Sequence, residues 1–98
     1  VGQVAMHATG TVTSPGPGMF AVHLPDGNRQ FASAAEALEV LEAALTEEAV
    51  ARAKEAGVEE VRLSRERDVR EVDVEGQSMF IEARVKVTAQ GRPRIAVG

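Results

Sequence analysis

Residues 33–57 read SAAEALEVLEAALTEEAVARAKEAG, and this stretch decides the fold. Ser33 and Glu36 have the capping-box spacing: the Ser33 hydroxyl can accept from the backbone of Glu36, and Glu36 can reach back. From Ala34 to Ala56 there is no Pro and no Gly, and Ala, Leu and Glu dominate, all good helix formers. Leu38, Leu41, Leu45 and Ala49 recur at i, i+3, i+7 and i+11, which makes one apolar stripe. Glu36, Glu39, Glu42, Glu47 and Glu48 fall on the wet side. Arg52 and Lys54 sit in the last turn, where cations suit the helix dipole, and Gly57 is placed to be C′. The pattern predicts a helix of ~23 residues, about 35 Å long. Its single stripe needs a sheet beneath it.

The flanks supply that sheet. Residues 1–8 read either as a helix remnant of a preceding domain or as a first strand. Thr11, Val12 and Thr13 favour a short strand, which "SPGPG" (14–18) breaks. "MFAVHL" (19–24) is a strand, "PDGN" (25–28) a turn, and "RQFA" (29–32) the return of a hairpin. After the helix, "VEEVRL" (58–63) carries odd-numbered Val61 and Leu63, whereas "REVDV" (70–74) carries even-numbered Val72 and Val74. A period-two strand cannot keep one face across that change, so a bulge is expected in 64–69. "EGQS" (75–78) makes the next turn, centred on Gly76 and Gln77, which would set Val74 against Met79 and Val72 against Ile81. Residues 79–89 alternate, and their odd positions should face the helix. The other face would carry Phe80, Glu82, Arg84, Lys86 and Thr88. The expected fold is α+β: an antiparallel sheet of four to five strands packed on one long helix, in the order strand, strand, strand, helix, strand, strand. Residues 1–98 form a single domain in this reading.

Composition limits the functional classes. With 98 residues, 44% of them apolar, the chain can build one modest core. Aromatics are only 3%, so Val, Leu, Ile, Met and Ala must fill it. The chain has no Cys, which rules out disulfides, thiolate metal sites and a cysteine nucleophile, and suits a cytoplasmic protein. No apolar run approaches the ~20 residues of a membrane span. A net charge of −4, with no Trp and no Tyr, offers neither the basic field nor the stacking platform of a nucleic-acid binder. The small-residue opening VGQVAMHATG, with Val at position 1, is what a piece of a longer protein would show.

Several constellations could carry chemistry. Glu71, Asp73, Glu75, Gly76 and Glu82 fall at positions 1, 3, 5, 6 and 12 of a calcium loop. Glu stands where shorter side chains are usual and the flanks read as strands, so a hairpin with an acidic face is the preferred reading. His7 and His23 would approach each other if the first two strands pair, but two imidazoles make a poor zinc site. "SPGPG" lacks the spacing and the following helix of a phosphate loop. In "QGRPR" (90–94), Arg92 and Arg94 flank a proline on stiff extended backbone. They could fork onto a carboxylate or phosphate. The plainer reading is a strand terminator with solubilising charge. No catalytic, cofactor-binding or metal-binding residue is nominated.

The succession of a small-residue "VG" stretch, a proline/glycine break, "FASAAEALEVLEAAL" (31–45), "AKEAG" (53–57) and "SMFIEARVKVTAQGRPR" (78–94) resembles the C-terminal region of the hydantoinase/oxoprolinase family. The resemblance covers nearly the whole chain as pattern and order. It implies an accessory C-terminal domain, no cofactor in this segment, and a parent with an actin-like core that uses ATP to hydrolyse cyclic amides such as hydantoins and 5-oxoproline. No residue of that core can be carried over, because none of its phosphate-binding motifs occurs here. The expected partner is the rest of the parent or another subunit, with a homodimer as the other arrangement. The expected contacts are Phe80, Arg84 and Lys86 on the wet sheet face, where Phe80 would be the lone apolar group, with Arg92 and Arg94 as further contacts. Two other readings remain open: a stand-alone small-molecule-binding or regulatory α+β module, and a small enzyme.

Overall fold

A computed structural model describes residues 2–24 and 27–94; the side chain of Ile81 also lies outside the described residues. Strands β1 (Val4–Gly16), β2 (Met19–Leu24) and β3 (Gly27–Phe31) precede helix α1 (Ala34–Glu55), and β4 (Val58–Val74) and β5 (Gln77–Pro93) follow it. The fold is α+β, with one antiparallel five-stranded sheet in the order β3-β2-β1-β5-β4.

The helix forms as its sequence dictates. Ser33 accepts from the backbone of Glu36 at 3.4 Å, and Gly57 closes the other end at φ 73°. Ala37, Leu38, Leu41, Leu45, Ala49 and Ala53 are buried against Ala8, Val12 and Val22 and against Ala83, Val85, Val87 and Ala89 of β5. Gly10 lets the helix come close, since a Cβ there would stand 2.6 Å from Leu41 Cδ1. Arg52 donates to the His7 carbonyl at 2.8 Å and ties the last turn to β1.

The strands correct several expectations. Residues 4–8 are strand, and β1 is longer than Thr11–Thr13, because it pairs with β5 from Val4↔Gly91 to Thr13↔Glu82. It continues to Gly16, so the break in "SPGPG" narrows to a tight turn at Pro17–Gly18 with Gly18 at φ 67°. The turn expected over 25–28 falls partly on residues 25–26, outside the described residues; β2 and β3 pair from Phe20↔Phe31 to Leu24↔Gly27. There is no bulge in 64–69. The register runs unbroken from Arg62↔Gln90 to Arg70↔Glu82. Val61 and Leu63 simply lie on the helix face of β4 and Val72 and Val74 on the outer face, so the change of parity needs no insertion.

The β1–β2 register shifts between Thr13 and Gly16, and two bulges interrupt the β4–β5 pairing. One is in β4 between Glu59 and Arg62, where Glu60 takes φ 56°. The other is in β5, where Arg70 opposes Glu82 but Glu71 opposes Phe80, which leaves Ile81 as the extra residue. The hairpin turn is Glu75–Gly76, at φ 52° and 79°, not Gly76–Gln77. Positive φ at both central residues is the two-residue turn that matches strand twist. Its register sets Val72 against Met79 and Val74 against Gln77, two residues away from the expected pairs.

β4 and β5 outrun the rest of the sheet. Beyond Glu82, β5 has no β1 partner, so residues 71–80 form a two-stranded arm. The molecule measures 64 × 25 × 14 Å, with a radius of gyration of 16.6 Å. A compact domain of this length would have about 13 Å.

Candidate functional site

Over β1 and residues 82–92 of β5 the outer sheet face is polar, and among the described residues it bears no helix. It carries Glu82, Arg84, Lys86, Thr88, Gln90 and Arg92 from β5, with His7, Thr9, Thr11 and Thr13 beside them on β1. A shallow groove of about 690 Å³ lies across it, lined among others by Thr9, Thr11, His23, Arg84 and Lys86. The strand register puts Glu66 opposite Lys86 and Asp68 opposite Arg84. Each cation thus has a carboxylate beside it, and Glu82 accepts from Arg84 Nε at 3.5 Å. The groove suits a small polar or zwitterionic group better than a strong anion.

The five expected contacts separate into three places. Arg84 and Lys86 share this groove. Arg92 and Arg94 lie at the other end of β5, where Arg92 is ion-paired with Glu60 and Arg94 Nε stands 3.5 Å from Glu59. These carboxylates occupy the guanidinium groups at the β4 bulge. Pro93 closes β5 as its last residue, but it is still paired with Val58, and the Arg94 N–H then donates to the Gly57 carbonyl at 2.7 Å. Phe80 is not on the polar face. The β5 bulge turns it to the helix side, where it packs against the core with its ring 5.5 Å from that of Phe20, edge to face. The same bulge leaves odd-numbered Met79 exposed rather than facing the helix.

The other constellations are pulled apart by extended backbone. His23 opposes Thr11, four residues along β1 from His7, so the two imidazoles stand about 13 Å apart at strand rise. His23 hydrogen-bonds Thr13 at 2.9 Å and Asn28 at 3.2 Å, and His7 hydrogen-bonds Thr88 at 2.9 Å. The calcium-loop spacing is strung along the β4–β5 hairpin, with Glu75 at its tip and Glu82 back beside Arg70. Among the described residues no group of three or more His, Asp or Glu could hold a metal ion. No helix among them is long and apolar enough to cross a membrane.

One ion pair does structural work at the sheet edge. Arg67 Nε on β4 donates to Glu42 Oε1 on the helix at 2.6 Å. That hydrogen bond holds the Glu42 carboxyl below its ordinary range, against the opposing effect of burial, and raises the Arg67 guanidinium.

The feature that sequence reading missed is the arm. Every residue from Arg62 to Val74 is exposed, and Val72, Val74 and Met79 stand 42%, 47% and 46% exposed on its outer face. The signal was the even numbering of Val72 and Val74, which marks an outward apolar face and not a bulge. No family model, curated protein or solved structure matches this chain.

Proposed function

We propose that this chain is a non-catalytic accessory domain of a hydantoinase/oxoprolinase-like protein, a cytoplasmic ATP-dependent hydrolase of cyclic amides. It contacts the rest of that protein, or a partner subunit, through the tip of the β4–β5 arm. The observation that carries the contact is the group Val72, Val74 and Met79, each more than two-fifths exposed on a two-stranded arm. An isolated two-stranded ribbon is marginal in water, and neighbouring exposed apolar side chains on it favour a covered state. Arg84 and Lys86 on the adjoining polar face would add rim contacts, whereas Arg92 and Arg94 would have to leave Glu60 and Glu59 to do so. The parent rests on the resemblance of 31–45, 53–57 and 78–94, and its ATP site would lie in the upstream core.

The test is Val74→Glu with Met79→Glu in the full-length protein. The pair should loosen association of this domain with the remainder and leave the fold of the 98 residues intact. Unchanged association would count against the contact. A reading frame upstream of Val1 without an actin-like ATPase would remove the parent.

The groove at Arg84 and Lys86 favours a second reading, a small-molecule-binding module. Isothermal titration of the isolated chain against amino acids and nucleotides checks it. Tight binding abolished by Arg84→Ala would displace the purely accessory reading.

A further inference from the structure

We infer that β4 is a self-pairing edge, on which a second copy of this chain docks antiparallel about a two-fold axis at Val69. This goes beyond the reading above, because it uses the edge of the arm and not its outer apolar face.

The edge is open and long. Among the described residues β4 hydrogen-bonds only to β5, so its other row of N–H and C=O groups meets no strand there. The opposite edge, β3, has only five residues. Between the bulge at Glu60 and the turn at Glu75, β4 has no inserted residue, which leaves a regular template. The helix packs chiefly on β1 and β5, inside the edge, and so does not cover it.

Charge on an edge strand ordinarily keeps other strands away. Here its order favours one register. From Arg65 to Asp73 the sequence is RERDVREVD, and around Val69 the charges are nearly antisymmetric. A two-fold axis perpendicular to the sheet keeps each residue on its own face and pairs residue 69−n with 69+n. Asp68 then faces Arg70 of the copy, Arg67 faces Glu71, and Arg65 faces Asp73, each pair made twice. Val69 faces itself, Glu66 faces Val72 and Ser64 faces Val74. No two like charges stand directly opposite. Centring on Glu66, Arg67, Asp68, Arg70 or Glu71 sets a charge against its own copy. Centring on Ser64 or Val72 sets Glu60 against Asp68 or Glu71 against Asp73. Opposite-charge cross-strand pairs stabilise and directly opposed like charges destabilise, so the register at Val69 is selected. Pairing over 64–74 joins two five-stranded sheets into one and gives the arm a second layer of ladder bonds.

The register makes a sharp test in a chain without cysteine. Sedimentation velocity of the 98-residue protein should show a reversible dimer. Arg65→Asp or Asp73→Arg alone should weaken it about tenfold or more, and the two together should restore it. Val69→Cys should form a disulfide-linked dimer under mild oxidation, because directly opposed strand residues have Cα separations within disulfide range. Ser64→Cys, about 33 Å from its own copy in this register, should not. A chain that stays monomeric up to about 1 mM overturns the inference. So does a double swap that fails to restore association, or cross-linking at 64 as efficient as at 69. The fold is read separately by circular dichroism of each variant. Val74 lies on this edge and Met79 on β5, so Met79→Glu alone should loosen the tip contact and leave the dimer intact, which keeps the two results separable.

Discussion

Gly91 and Gly10 both make room for a neighbour within a strand, but the neighbours differ. A Cβ on Gly91 would run into the backbone carbonyl of Glu59 at the β4 bulge, which cannot turn aside. A Cβ on Gly10 would meet the end of the Leu41 side chain, which can change rotamer. Gly91→Ala should therefore cost about 2–3 kcal/mol and Gly10→Ala about 1 kcal/mol, read from denaturant midpoints. The Glu42–Arg67 bond gives a pH signature. A carboxyl held below its ordinary range stabilises the fold above that range, and the contribution is lost as the pH falls through its folded value. Glu42→Gln should thus lower stability by about 0.5 kcal/mol at neutral pH, and the difference should vanish in acid. Neither glycine's role could be read from the sequence, since it depends on which strand passes beside it.

At the scale of elements, the helix was legible: the Ser33 cap, the stripe and the Gly57 stop are all local, and local signals survive folding. Strand existence and order were legible for the same reason. Register was not. Nothing local fixes whether Val72 and Val74 share a face with Val61 and Leu63, and the bulge at Ile81 reverses the side of Phe80. The site suffered with it: Arg84 and Lys86 came out together, while Phe80 left the surface to meet Phe20. The turn carries its own prediction. Glu75 holds φ 52°, a region that Asn tolerates far better. Glu75→Asn should raise the thermal midpoint by up to a few degrees, a gain of about 0.5 kcal/mol. An unchanged or lowered midpoint would show that the turn is not as described.

At the scale of the molecule, the excess of the radius of gyration over that of a compact domain comes from the arm. Among the described residues its two strands have no third strand over residues 71–80, and they expose both an apolar outer face and an open charged edge. A surface so built is expected to be covered, by the parent protein at the tip or by a second copy at the edge. Amide hydrogen exchange over residues 64–80 reads this most directly, compared between the dilute chain, the concentrated chain and the full-length protein. The expected result is fast exchange on the arm in dilute solution and strong protection there in at least one of the other two states. Residues 83–89, central in the sheet with Ala83, Val85, Val87 and Ala89 buried beneath the helix, should be protected throughout. An arm that exchanges equally fast in all three states would contradict the account.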